Sequence, residues 1–253
     1  VISCVDKSNA HKMNGYSSNY DYGDAPSSYG VACHDTDRWQ NLGNDWDVDS
    51  ATNVVDSDNT TDDGVSWRTS SDGGNTWSDW SSDQVLRQGD QVEFKFEVIR
   101  SNDGGHEYDE LKAWVDWNQD SNWDNASEVV EQEVWNKNEA PDGTLDTSSP
   151  HYNGDLGTNN SNITFATFYE TLNIPLDAVL GDTWMRARVV CENSLSQYSV
   201  NHVLDATGYQ HQGEVEDYKL TVVAKAVSVP EPSTLFIFAL SLIGLAVKRR
   251  KSI

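Results

Sequence analysis

Asp116, Asn118, Asp120, Asn122 and Asp124 stand at every second position of the stretch Asp116-Trp-Asn-Gln-Asp-Ser-Asn-Trp-Asp-Asn-Ala-Ser-Glu128, and Glu128 closes it. Oxygen donors in this pattern suit a loop curled round a hard cation. Ca2+ takes six to eight oxygens from carboxylates, amides and backbone carbonyls, so these six residues are the first candidate ligands. Asn122 is expected to offer its backbone carbonyl. The competing use is a set of Asx turns in which the side chains cap their own backbone and need no metal. Asp45, Asp47 and Asp49, on alternate positions after Gly43, form a possible second metal site, with a solvated acidic loop as the alternative.

Catalytic chemistry finds little support. His106-Glu107 begins like a zinc-protease helix motif, but Glu110 stands where the second His belongs and Gly104-Gly105 is a poor helix start. No Gly-x-Ser-x-Gly is present. Carboxylates are plentiful, yet none is singled out as a glycosidase pair. The expectation is a protein that is not an enzyme.

The formal charge is −24 over 253 residues. Four of the 17 cations are Lys248, Arg249, Arg250 and Lys251, leaving 13 against 41 acidic residues before the tail, or −28. Such a chain repels nucleic acid. Charge of this density strains a compact state unless it is spread out, screened or neutralised by bound cations. Ten Trp, ten Tyr and six Phe supply material for a sizeable core.

Cys4, Cys33 and Cys191 in a chain that reads as exported permit one disulfide, and Cys33–Cys191 is the preferred pair. Val1-Ile-Ser-Cys4 has a weak likeness to a lipobox. The chain does not open on Met, in keeping with a trimmed export signal. Residues 1–20 read as a flexible segment.

The elements that must position these residues read as strands. In Gln91-Val-Glu-Phe-Lys-Phe-Glu-Val98, Val92, Phe94, Phe96 and Val98 face one way and Glu93, Lys95 and Glu97 the other. Leu111-Lys-Ala-Trp-Val-Asp-Trp117 repeats the alternation and delivers the acidic loop at a strand end. Glu128 to Trp135 is a return strand. Residues 136–162 form a surface insertion. Ile163 to Leu172, Thr183 to Cys191 and Glu214 to Val223 supply three more strands, with a short turn of helix between Leu176 and Leu180. The fold expected over 21–224 is all-β: an antiparallel β-sandwich, jelly-roll or Ig-like, with long acidic loops.

Ala113-Trp-Val-Asp-Trp-Asn-Gln-Asp120, Gly181-Asp-Thr-Trp-Met-Arg-Ala-Arg188 and Gly213-Glu-Val-Glu-Asp-Tyr218 resemble, in order and spacing, the signatures of the GEVED domain, a β-rich module of bacterial secreted and surface proteins. The resemblance covers a core of about residues 111–223. Asp21-Tyr-Gly-Asp-Ala-Pro26 and Asp62-Asp-Gly-Val65 resemble segments that precede it. The family implies a Gly after the third acidic position of the loop, where this chain has Ser121. Glu128 is also thirteenth from Asp116 rather than twelfth, so the EF-hand register is broken. Alternation sets Glu214, Glu216 and Tyr218 on one face, and Arg186 and Arg188 share a face of the preceding strand. A cross-strand pair between those arginines and Glu214 or Glu216 is the structural lock expected here.

Beyond a linker at 225–234, residues 235–253 hold a 13-residue apolar run followed by the four basic residues. As a helix the run measures about 20 Å, short of a hydrocarbon core of about 30 Å. A short tail anchor, with its basic residues held on the cytoplasmic side, is one reading. Pro230, Glu231 and Pro232, placed before such a run and followed by Lys248, Arg249, Arg250 and Lys251, resemble the PEP-CTERM sorting signal recognised by exosortases. That resemblance implies a Gram-negative-type envelope, use of the export machinery, transient membrane contact through the tail, and cleavage near Pro230 to Pro232. Release to the cell surface or exopolysaccharide matrix would follow.

Three functions follow from these readings. The first is a non-catalytic, calcium-supported structural or adhesive protein of a biofilm matrix. The second is a carbohydrate-binding module using exposed rings among Trp67, Trp77, Trp80, Trp123 and Trp135. The third, a glycoside hydrolase, requires a cleft with paired carboxylates.

Overall fold

The computed structural model describes residues 20–37, 39–44, 62–101, 108–136, 163–191 and 203–226. The N-terminal segment before Tyr20, the acidic residues Asp45, Asp47 and Asp49, and most of the insertion lie outside them. So do the sorting-signal residues Pro230, Glu231, Pro232, Lys248, Arg249, Arg250 and Lys251.

The described chain is a sandwich of two large sheets with a small third sheet laid on one of them. β1 (Tyr20–Tyr22), β2 (Ala32–Asp37) and β3 (Gln40–Leu42) precede β4 (Val65–Ser70), β5 (Leu86–Arg87) and β6 (Gln91–Ser101). β7 (Tyr108–Val115), β8 (Val129–Asn136), β9 (Ile163–Asn173), β10 (Gly181–Cys191), β11 (Gly208–Gln212) and β12 (Glu214–Val223) follow. One sheet runs β5-β12-β10-β7-β8. In the other, β9 pairs one edge of β6, while β3 and β4 pair the opposite edge end to end, opposite residues 98–100 and 91–96 of β6. Gly43 N–H donates to Glu97 O and Glu97 N–H to Gly64 O, so the chain between β3 and β4 leaves and rejoins what is nearly one edge strand.

The pairing is antiparallel except for β11 with β2 and β12 with β5, which are parallel. Between the large sheets, Trp67, Phe94, Phe96 and Phe168 pack against Leu111, Ala113, Met185, Ala187, Val189 and Leu220. This is the core that the alternation of β6 and β7 demands. The turn of helix expected between Leu176 and Leu180 is instead a single hydrogen-bonded turn over residues 175–178, closed by Ala178 N–H to Pro175 O.

The five-stranded sheet is covered on both faces. Its second face carries Trp114 and Val190, which pack with Ala25, Tyr29, Trp123, Leu204 and Ala206. β2 and β11 close over the same side through contacts with Arg188 described below. This double burial explains why β7 and β10 read as nearly unbroken buried strands.

Candidate functional site

The acidic loop leaves the end of β7, as its position after an alternating strand requires. Asp116 N–H is held by Trp184 O at 3.1 Å, and Thr183 Oγ1 donates to Asp116 O at 2.5 Å. The loop folds back on itself around the Asp116 carboxylate, which accepts Asp120 N–H (3.2 Å) on Oδ1 and Ser121 N–H (3.0 Å) on Oδ2. Gln119 and Ser121 both adopt left-handed backbone, with φ of 55° and 62°. Ser121 therefore takes the conformation that a Gly would adopt without steric cost.

Of the six candidate ligands, three converge. Carboxylate oxygens of Asp116, Asp120 and Glu128 lie within 4.8 Å of one another. Asp116 and Glu128 are 0% and 1% exposed, whereas Asp120 is exposed. Glu128 Oε2 accepts Asn125 N–H at 3.3 Å, but Oε1 is buried with no hydrogen-bond partner. An orphaned buried carboxylate oxygen beside two further carboxylates costs free energy unless a proton or cation meets it. Burial, offset by the Asn125 bond and reinforced by the charges of Asp116, Asp120 and Asp124, pushes Glu128 up to about 7. Tyr29 is raised to about 12, first by burial and then by its hydrogen bond to Asp116.

The asparagines take the competing role. Asn118 Oδ1 accepts Asp120 N–H (2.8 Å), its Nδ2 donates to Asp120 Oδ2 (3.0 Å), and Asn122 Oδ1 accepts Trp123 N–H (2.9 Å). They are local caps that shape the loop. Asp124 is exposed and reaches the trio only through its charge. Asp45, Asp47 and Asp49 lie outside the described residues.

The expected lock between Arg186 or Arg188 and Glu214 or Glu216 is corrected. Register sets Arg186 opposite Asp217 and Ala187 opposite Glu216. The arginines thus share the outer face with Val215 and Asp217, while Glu214 and Glu216 follow Tyr218 onto the core face. Arg186 Nε and Nη2 donate to the two oxygens of Asp217, each at 2.7 Å. Arg188 Nε donates to His34 Nε2 (3.1 Å), and its terminal nitrogens reach Asp205 O (2.6 Å) and Gly208 O (3.0 Å). His34 Nδ1 donates to Gln212 O (2.7 Å). Burial, with the Arg188 charge, holds His34 well below its usual range, so the neutral ring serves as acceptor.

The carboxylates of the Gly213-Glu-Val-Glu-Asp-Tyr218 motif fasten other parts of the chain. Glu214 Oε2 accepts Leu42 N–H (2.6 Å), and Glu216 Oε1 accepts Asp63 and Gly64 N–H (3.0 and 3.1 Å). Tyr218 OH donates to Glu216 Oε2 (2.9 Å) and accepts Val65 N–H (2.9 Å). Asp217 also accepts Ala25 N–H, and Val215 N–H donates to Asp21 Oδ2, each at 2.7 Å. Gly23 is needed because a Cβ there would lie 2.4 Å from Asp217 Oδ2. The two acidic upstream motifs and this one are therefore a single structural unit, which their separation of more than 140 residues hid from sequence reading.

The Cys33–Cys191 expectation also fails. Cys33 is disulfide-bonded, but Cys191 is a buried thiol whose Sγ donates to Gln212 Oε1 at 2.7 Å. Cys191 has the parity of Ala187 and Val189 on the core face, whereas Cys33 lies in β2, against the Arg188 side.

The tryptophans do not form an exposed line among the described residues. Trp67 and Trp123 are 0% and 6% exposed. Trp77 and Trp80 are half-buried, and the Arg68 guanidinium lies 4.9 and 4.6 Å from their ring centroids. Arg68 is bound in turn to Glu93 at 2.5 Å. Trp135 is in β8.

Residues 110–221 match the GEVED domain, and residues 228–251 match the PEP-CTERM protein-sorting motif. The second match takes in Pro230, Glu231 and Pro232 together with the basic run Lys248 to Lys251. No curated protein matches the chain. The sorting motif implies recognition by an exosortase and export to the cell surface or extracellular space.

Proposed function

We propose that this chain is a non-catalytic structural or adhesive protein of an extracellular, polysaccharide-rich matrix, stabilised by calcium at Asp116, Asp120 and Glu128. The observation that carries the calcium reading is Glu128. Its buried, unpartnered Oε1 stands beside two further carboxylates, in a loop where the side-chain oxygens of Asn118 and Asn122 cap backbone N–H groups. Three carboxylate donors suit a hard divalent cation, with the remaining ligands left to backbone oxygens and water. When bound, the ion supplies charge neutralisation and a fixed loop.

The structural role is supported by how the ionisable residues of the domain signature are used. Arg186, Arg188, Glu214, Glu216 and Asp217 are committed to backbone groups and to each other, leaving none poised for proton transfer to a substrate. The protein is released from a Gram-negative-type inner membrane after transient anchoring by its tail. Fractionation of the producing cells tests this reading. The protein is expected in the matrix fraction, with a mass lacking Lys248 to Ile253, and a calcium chelator should loosen it. Recovery from the cytoplasm, or with the tail intact, would contradict it.

Carbohydrate binding is the second reading. The exposed-tryptophan form of it has little support, because Trp67 and Trp123 are buried and Trp77 and Trp80 stack on Arg68.

A further inference from the structure

One end of the five-stranded sheet carries three exposed apolar side chains within five residues: Leu176, Val179 and Leu180, at 63, 41 and 51% exposure, in the turn that leads from β9 into β10. Single exposed apolar residues are ordinary on a protein surface. Here three share one turn, and the buried Ile174 and Ala178 fix it to the core. Gly89 N–H donates to Ile174 O, Gln88 Nε2 to Ala178 O and Val179 N–H to Trp117 O. The turn is thus clamped between the β5–β6 connection and the acidic loop, with its apolar side chains left outside.

The chain leaves the domain at the same end. Gly181 pairs with Val222, β12 ends at Val223, and Val223 O accepts Gln88 N–H. A Cβ on Gly89 would meet Leu176 Cδ2 at 2.9 Å and Lys225 Cδ at 3.5 Å, so the Leu176 side chain lies beside that of the exiting Lys225. Ala226 is the last described residue, and residues 227–234 are all that separate it from the apolar run Leu235 to Val247. At no more than about 3.6 Å per residue, that connection reaches about 30 Å.

We propose that Leu176, Val179 and Leu180 enter the surface of the bilayer that holds the tail, a second apolar contact that orients the domain on the membrane before release. This contact depends on the tail anchoring proposed above. A 13-residue run of about 20 Å is short for a hydrocarbon core of about 30 Å, so a further apolar contact supplements a marginal anchor. Tethering by so short a connection also raises the effective concentration of the turn at the lipid surface, so a contact too weak to hold a free domain suffices. The attraction is apolar rather than ionic. Asp177 lies in the turn and the acidic loop adjoins it through Gln119 and Val179, which opposes an anionic surface, and Arg87 and Lys225 offset only part of that charge.

The test uses the full chain bound through its tail to phosphatidylcholine vesicles, whose zwitterionic surface does not repel the acidic loop. An environment-sensitive dye is attached at Asp177→Cys, inside the turn, or at Val134→Cys. Val134 is 55% exposed and stands level with Val190, near the opposite end of the sheet, through the pairing of each with Glu110. Cys191 is buried, and the unsubstituted chain gives the labelling background. The expected result is blue-shifted emission and quenching by a lipid-borne quencher for the dye at 177 and neither for the dye at 134. Adding Leu176→Asp and Leu180→Asp should abolish both signals at 177 with thermal stability retained, since both side chains are exposed. Co-flotation with the vesicles reads tail anchoring separately. Aqueous emission at 177 in a chain that floats overturns the proposal and leaves anchoring intact, as do signals at 177 that the double substitution does not change. A chain that fails to float overturns both.

Discussion

Arg186 and Asp217 lie directly opposite each other on β10 and β12, joined by two parallel hydrogen bonds of 2.7 Å, with both side chains 0% exposed. The pair is closed over by Gly23 and capped by Ala25 N–H and Ala206 O. It ties the N-terminal motif to the central sheet.

Asp217→Asn leaves the Arg186 guanidinium buried and undercompensated. Breaking a buried pair from one side costs about 3–5 kcal/mol. Urea unfolding at neutral pH is expected to show a loss of that size, and a loss below about 1 kcal/mol would mean that the pair is not central to the fold.

Gly213 has φ of 97°, and a Cβ there would meet Val189 O at 1.8 Å. Both backbone strain and overlap with a sheet carbonyl oppose any side chain. Gly213→Ala is expected to destabilise the chain by about 2–4 kcal/mol, read as a lowered midpoint in thermal unfolding. Wild-type stability would contradict the geometry.

Glu216 gives a pH dependence of defined sign. Burial, and next the charge of Asp63, raise it from 4.5 to about 8. Between those values the folded state holds a proton that the unfolded chain releases, so stability falls as pH rises through the window. One such proton contributes at most about 1.4 kcal/mol per pH unit. Asp62, raised by burial and by Glu216 itself, extends the loss upward. Urea unfolding at pH 5 and pH 8 in chelator should show a smaller loss for Glu216→Gln than for wild type, and equal losses would refute the assignment.

Arg68 stacks with Trp77 and Trp80 and pairs with Glu93 on the outer face of β4 and β6. The site is partly exposed, so Arg68→Ala is expected to cost about 1 kcal/mol, part of it sensitive to salt. Chemical unfolding at low and high salt measures both parts, and a cost that does not change with salt would leave only the stacking.

The strands were legible because the alternation of Val92, Phe94, Phe96 and Val98 admits only one buried face, and the acidic loop because its oxygens recur at a fixed spacing. Pairing was not. Parity along β10 and β12 was readable, but whether Arg186 meets Glu216 or Asp217 depends on register, which no single strand records. The capping role of Asn118 and Asn122 was visible only as an alternative, since an Asx turn and a metal ligand use the same atoms. The contacts of Glu216 with Asp63 and Gly64, and of Asp217 with Ala25, depend on long-range closure. Their only trace in the sequence is the presence of the small motifs themselves.

Calcium-dependent thermal unfolding of the chelator-treated chain tests the central claim most directly. Added calcium is expected to raise Tm of the wild type, by the equivalent of about 2.7 kcal/mol at a hundredfold excess over Kd. Glu128→Gln and Asp120→Ala should lose most of that response. An unchanged Tm in the wild type, or variants that respond as fully as it does, would contradict the account.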